Sequence, residues 1–286
     1  MAMAAPAVVA STHLGTPVVD DKTTTSSTTN NDDTSCTSPG IITCPNEIQK
    51  QIVKGVVRAK LSKRRHLVLP RAISPDYLDT LMPDIVTNLF EPQPVTYNGG
   101  VANIKQWKIS CYLEVMEGGV PCTNPHMALQ RHCSELLETC NMLFASWYRQ
   151  QHACNDNRKS AKYKMDENSY PIVSRLMTFI TRYNPAPEEN ALLKHVDGAG
   201  KVDGSLVVAL PIDRWTDSYG NNSFEGYGGG LTFWDGRMSG KNEPEEILYD
   251  TRSGDVAFID KAVWHQANPI TKGTRWALVI FYNVER

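Results

Sequence analysis

Gly254-Asp255-Val256-Ala257-Phe258-Ile259-Asp260, followed after three residues by Trp264-His265, is the stretch on which the fold turns. A turn signal, Ser253-Gly254-Asp255, opens a short run of β-branched and aromatic side chains, which predicts a buried strand leading to a second one at 264–269. The same texture extends outward in both directions. Arg275 to Asn283 follows, and 176–183, 205–210, 231–234 and 247–249 precede, separated by Asn184-Pro185, Asp197-Gly198 and Gly228-Gly229-Gly230. Many short strands with no helix between them predict a sandwich or jelly roll. The triple glycine predicts a bulge or a close backbone approach.

Upstream, residues 46–175 read as mainly helical support. Ser74-Pro75 gives an N-cap and an N1 proline before an apolar stripe from Tyr77 to Leu89, which Pro83 should bend or split. Asn124-Pro125 repeats the signal before a stripe that runs to about Gln151. The expected fold class is therefore mainly β with a helical N-terminal region, spanning 46–286, its β core at 176–286. Residues 1–45, with the hydroxyl-rich tract Thr23 to Thr29, hold too little apolar surface to offset the entropy of ordering and are expected to form a disordered tail.

Lys plus Arg number 29 and Asp plus Glu 31, a net charge of −2, so no positive field exists to recruit nucleic acid. No apolar run reaches the ~20 residues that span a bilayer, and no membrane partner is expected. No basic residue precedes the opening apolar segment, which Pro6 interrupts, so the expected location is cytoplasmic, with an acidic N-terminal segment arguing against an organellar transit peptide. The 7 cysteines show no CxxC spacing. Cys133 and Cys140 lie seven apart on a predicted helix and read as core. The cluster Lys60, Lys63, Arg64, Arg65 reads as a solvated face.

His195-Val196-Asp197 puts an imidazole and a carboxylate two residues apart, on one face of an extended segment. Alone this means little, since roughly 0.8 such matches arise by chance in a chain of this composition. His265, at the end of the deciding stretch, supplies a third ligand. Two His and one carboxylate form the facial set suited to non-heme Fe(II) and O2, with three positions open. Two of those suit a chelating 2-oxo acid, whose far carboxylate needs a cation; Arg275, ten residues after His265, offers a charged bidentate fork. Trp264 and Trp276 alternate away from that face.

With these pieces in order, the stretch from Tyr183 to Tyr282 resembles the double-stranded β-helix (jelly roll) core of the Fe(II)/2-oxoglutarate-dependent dioxygenases, most closely their prolyl-4-hydroxylase-like branch. The pieces are Arg182-Tyr183-Asn184-Pro185, His195-Val196-Asp197, Gly228 to Phe233, Gly254 to Phe258, His265 and Gly273-Thr274-Arg275. The resemblance implies that His195, Asp197 and His265 bind iron, that Arg275 binds the distal carboxylate of 2-oxoglutarate, and that Tyr183 lines the cosubstrate pocket. Animal collagen-type members usually have lysine at the Arg275 position. The implied reaction consumes O2 and 2-oxoglutarate, releases succinate and CO2, and hydroxylates, desaturates or cyclises at an unactivated C–H bond. A small amino-acid-like metabolite is the expected substrate, with Arg182 and the basic residues of the helical region as candidates to hold its carboxylate. Cytosolic protein prolyl hydroxylation is the alternative within the class. A non-catalytic metal-binding sensor or scaffold, or a cupin-type isomerase, is the alternative outside it.

Overall fold

The structure, a computed structural model, describes residues 40–42, 44–91, 96–97, 100–101, 108–114, 126–153, 170–185, 194–197, 202–211, 229–238, 243–270 and 273–285. Most of the expected tail therefore lies outside the described residues. Its last part does not: Ile41 and Ile42 pack against the core, and the Ile41 carbonyl accepts from Ser74 N at 2.8 Å.

Helix α1 (Pro45–Leu61) starts on a proline and buries Ile48, Ile52, Val56 and Ala59, one stripe at helical spacing. After strand β1 (His66–Leu69), α2 (Pro75–Asp84) is capped as the sequence predicts, with the Ser74 hydroxyl accepting from Tyr77 N. Pro83 has the expected effect, because α2 stops one residue later and continues as a single π-helical turn, Ile85–Leu89. The second predicted helix forms as two, α3 (Met127–His132) and α4 (Ser134–His152), broken at Cys133. Its cap among the described residues is His126, whose Nδ1 accepts from Leu129 N at 3.0 Å; Asn124-Pro125 lies outside them. Cys133 and Cys140 are buried core residues.

The remaining strands are β2 (Thr96–Tyr97), β3 (Gly100–Val101), β4 (Lys108–Glu114), β5 (Val173–Tyr183), β6 (Gly204–Ala209), β7 (Leu231–Met238), β8 (Pro244–Tyr249), β9 (Val256–Asp260), β10 (Trp264–Ala267) and β11 (Arg275–Val284). All seven predicted strand runs are present. They form a six-stranded antiparallel sheet, β1-β9-β6-β11-β5-β4, and a three-stranded one, β10-β7-β8, while β2 pairs with β3. Four of these strands correct the sequence reading. β1 to β4 lie in the stretch read as helical, and β1 and β4 extend both edges of the large sheet; β1 has only four residues, and β4, Lys108-Ile109-Ser110-Cys111-Tyr112-Leu113-Glu114, does not alternate.

Alternation along the strands divides the core in two. Leu206, Val208, Val256, Phe258, Trp276, Leu278 and Ile280 face the helices and pack with Ile52, Leu78, Phe144 and Trp147. Val207, Ala257, Ile259 and Ala277 point the other way and meet Leu231, Phe233 and Ala267 of the small sheet. This second, inter-sheet layer is where the chemistry-bearing side chains gather.

Asp235 on β7 pins the two sheets together at one end. Its Oδ2 accepts from the backbone N–H groups of Arg65 and His66 and from the His66 ring at 2.9 Å, and its Oδ1 accepts from Gly236 N at 3.0 Å. The His66 ring also stacks on Phe233, centroids 4.1 Å apart.

Candidate metal centre

His265 enters the inter-sheet layer from β10, opposite Phe233 on β7. His195 lies on no regular strand, yet it is locked to His265 by an isolated antiparallel bridge: His195 N donates to the His265 carbonyl at 2.9 Å and His265 N donates back at 2.8 Å. Their rings consequently lie 4.5 Å apart. Two residues on, Asp197 turns into the same space, with Oδ1 at 3.6 Å from His195 Nε2 and Oδ2 at 3.4 Å from His265 Nε2. The structure thus brings together all three residues singled out from the sequence. One potential ligand atom from each falls within 4.8 Å of the others.

The protonation pattern suits a cation. His265 Nδ1 is 3.1 Å from the Val263 carbonyl, which can only accept, so the ring proton sits on Nδ1. Nε2 is left as a bare lone pair facing Asp197. Burial lowers the pKa of His265, against the pull of the Asp197 charge. Burial opposes ionisation of Asp197 too, but the hydrogen bond with His195, the nearby His265 and the Ser205 hydroxyl outweigh it and hold the carboxyl below its ordinary value. Asp197 thus turns one oxygen toward each imidazole Nε2, an arrangement that can take up a cation. A divalent metal with N and O ligands fits this donor set.

Arg275 is buried in the same layer. It pairs with Tyr183 across β11 and β5, and its guanidinium carbon lies 5.4 Å from the Tyr183 ring centroid. One guanidinium nitrogen donates to the Gly230 carbonyl at 3.0 Å, while Nε has no partner among the described residues. Among the described residues no carboxylate pairs with it. Burial lowers its pKa, offset by Tyr183, without the acidic neighbour that usually accompanies a buried arginine. A ligand carboxylate fits that place, since it would supply the missing charge and acceptors. Burial also raises the pKa of the Tyr183 phenol, which stays protonated. Gly229 and Gly230, both at positive φ, allow the close approach expected of the glycine run. A Cβ at Gly230 would lie 2.2 Å from the Tyr249 carbonyl, and one at Gly229 would lie 3.4 Å from Arg275 Cδ. Gly228 lies outside the described residues.

Arg182 is the site expectation that fails. It sits one residue from Tyr183 and therefore points to the opposite face, where its guanidinium lies over Phe90 and Trp276 in the helix-side layer. It cannot reach a ligand held between the sheets. Trp264 and Trp276 do face away from that space, Trp264 to solvent and Trp276 into the helix-side core. Ser205, which the sequence reading passed over, donates to Asp197 Oδ2. Its only signal was parity with Val207 within an apolar run.

No protein-family model matches the sequence, and no curated protein matches it. Solved structures do match. A prolyl hydroxylase from Trichoplax adhaerens, in complex with a hypoxia inducible factor oxygen degradation domain peptide fragment, aligns with a TM-score of 0.51 at 11% identity, over 83% of this chain and 91% of that one. A prolyl-4-hydroxylase from Pseudomonas putida aligns with a TM-score of 0.50 at 11% identity, over 82% and 99%. The chain has the prolyl hydroxylase fold. The double-stranded β-helix expected from the sequence is thus the observed architecture, with strands β5 to β11 as its core and the three converging side chains at one end of the inter-sheet layer. Among the described residues no helix is long and apolar enough to cross a membrane.

Proposed function

We propose that the protein is a cytoplasmic Fe(II)/2-oxoglutarate-dependent dioxygenase that oxidises an unactivated C–H bond of a small amino-acid-like molecule. The observation that carries the reading is the pairing of two features in one buried layer: a His-Asp-His set with the donor pattern of a metal site, and a buried arginine with no acidic partner among the described residues. A structural metal would need only the first. A 2-oxo acid that chelates the metal and reaches the arginine needs both.

In this reading His195 Nε2, Asp197 and His265 Nε2 would hold iron. Iron there supplies the redox chemistry of O2 activation coupled to decarboxylation of 2-oxoglutarate. One oxygen atom goes to succinate and the other to the substrate, with CO2 released. Arg275 would hold the distal carboxylate, and the protonated Tyr183 phenol beside it would add a donor. The apolar walls Val207, Leu231, Ala257, Ala267, Ile270 and Ala277 exclude water, which strengthens the arginine–carboxylate attraction. His265 is held in its ligating tautomer by the Val263 carbonyl.

The first test is succinate formation from 2-oxoglutarate with Fe(II) and O2, alongside anaerobic binding of candidate metabolites scored by perturbation of the iron chromophore. No succinate and no Fe(II) binding would reject the reading. Substrate class is decided by competition: free amino-acid derivatives should stimulate 2-oxoglutarate decarboxylation more than proline-rich peptides at equal concentration. The reverse order would assign the same site to protein prolyl hydroxylation.

A further inference from the structure

Ser205 is fully buried on β6, between Ile259 on β9 and Phe281 on β11. It shares a face with Val207, toward the small sheet. A hydroxyl in that layer must find a partner. It donates to Asp197 Oδ2. We propose that Ser205 is the positioning residue for Asp197, fixing which carboxylate oxygen faces the metal; the inference rests on the metal reading above.

Asp197 needs such a device more than the other two ligands do. His195 and His265 are locked to each other by two backbone hydrogen bonds, and His265 is held again through its ring. Asp197 lies beyond the bridge and belongs to no strand, so rotation about its side-chain bonds is the freedom left to remove. A charge-assisted hydrogen bond to Oδ2 removes it and turns Oδ1 toward His195 Nε2, 3.6 Å away. The anchor is itself rigid. Ser205 sits in the interior of the large sheet, paired with Ile259 on β9 and Phe281 on β11. His265 is carried by the small sheet and Ser205 by the large one. The hydroxyl therefore ties the ligand set across the sandwich.

The test compares two substitutions of nearly equal shape. Ser205→Thr keeps the hydroxyl and Ser205→Val replaces it with a methyl group, so both crowd the layer alike. Metal binding is read by titrating the full-length protein with Co(II) and following its visible absorption, with the melting temperature of the metal-free protein as folding control. The expected result is a Co(II) dissociation constant raised about tenfold or more in Ser205→Val, with a changed absorption spectrum, while Ser205→Thr stays close to wild type. Ser205→Ala, which only removes the hydroxyl, repeats the loss should the larger side chains unfold the protein. Equal affinity and spectra in all variants would overturn the positioning role while leaving the metal site standing. A wild-type protein that does not bind Co(II) at all would overturn the metal reading, and the role of Ser205 with it.

Discussion

Asp197 and Arg275 are two buried charges of opposite sign whose surroundings favour ligands of opposite kinds. Replacing His195, Asp197 or His265 by alanine should each reduce succinate production by orders of magnitude while the metal-free protein keeps its fold, checked by circular dichroism. Near-wild-type turnover in all three variants would sink the ligand assignment. Arg275→Leu should raise the apparent KM for 2-oxoglutarate by on the order of 100-fold and change the Fe(II) requirement far less, because the cosubstrate carboxylate loses its buried partner. Steady-state kinetics with each varied in turn separates the two, and an unchanged KM would move the cation elsewhere. These four residues were legible in the sequence because each carries its chemistry in its type, and because a spacing of two has a fixed meaning on an extended chain. Ser205 was not legible, since a serine in an apolar strand looks the same whether its hydroxyl faces a ligand or a backbone carbonyl. Arg182 misled for the converse reason: its type suited a carboxylate, but parity with Tyr183 sends it to the wrong face.

At the scale of elements, the seven strands of the β core could be read from composition and turns, whereas β1 and β4 could not. What makes them strands is the sheet edge they complete, a long-range fact. β1 is joined to β9 by a ladder and to β7 by the Asp235 carboxylate. The basic cluster read as a solvated face takes part in this junction, with Arg64 paired to Glu245 and Arg65 near Asp235 and Asp260. Asp235 is 3% exposed and accepts from four N–H groups, so Asp235→Ala should cost about 3 kcal/mol, because it strands buried donors. For a domain of this size that is a fall in Tm of about 6 °C. Burial works against the Asp235 charge, but the His66 hydrogen bond and the Arg65 backbone donor prevail and depress its pKa. A depressed carboxylate contributes stability that is present above its unfolded value, about 4, and is lost as pH falls through the lower folded value. The Tm gap between wild type and Asp235→Ala should accordingly be widest near neutral pH and narrow below about pH 4. A gap that is constant from pH 7 to pH 3 would show that the carboxylate's charge is not what joins β1 to β7.

For the whole molecule, the question is where the part of the chain needed for this site begins. Composition alone places the start at 46, after the last of the Ser, Thr and Asn-rich segment. The packing places it earlier. Ile41 and Ile42 lie against the helix-side core, and the Ile41 carbonyl takes the Ser74 N–H, the residue that caps α2. Composition could not reveal this, because two isoleucines beside Gly40 and Thr43 are too few to outweigh the polar run before them. Two shortened chains distinguish the alternatives. A protein beginning at Gly40 should match the full-length chain in melting temperature and in succinate production, since residues 1–39 hold little that can support a core. A protein beginning at Asn46 should lose stability, by roughly 2–4 kcal/mol, as two partly buried isoleucines and a backbone hydrogen bond at the α2 cap are removed. Equal stability of the two would return the boundary to 46. Loss of activity with intact melting in the chain beginning at Gly40 would instead make residues 1–39 part of the substrate site, and the substrate would then have to be sought among molecules large enough to touch both them and the metal centre.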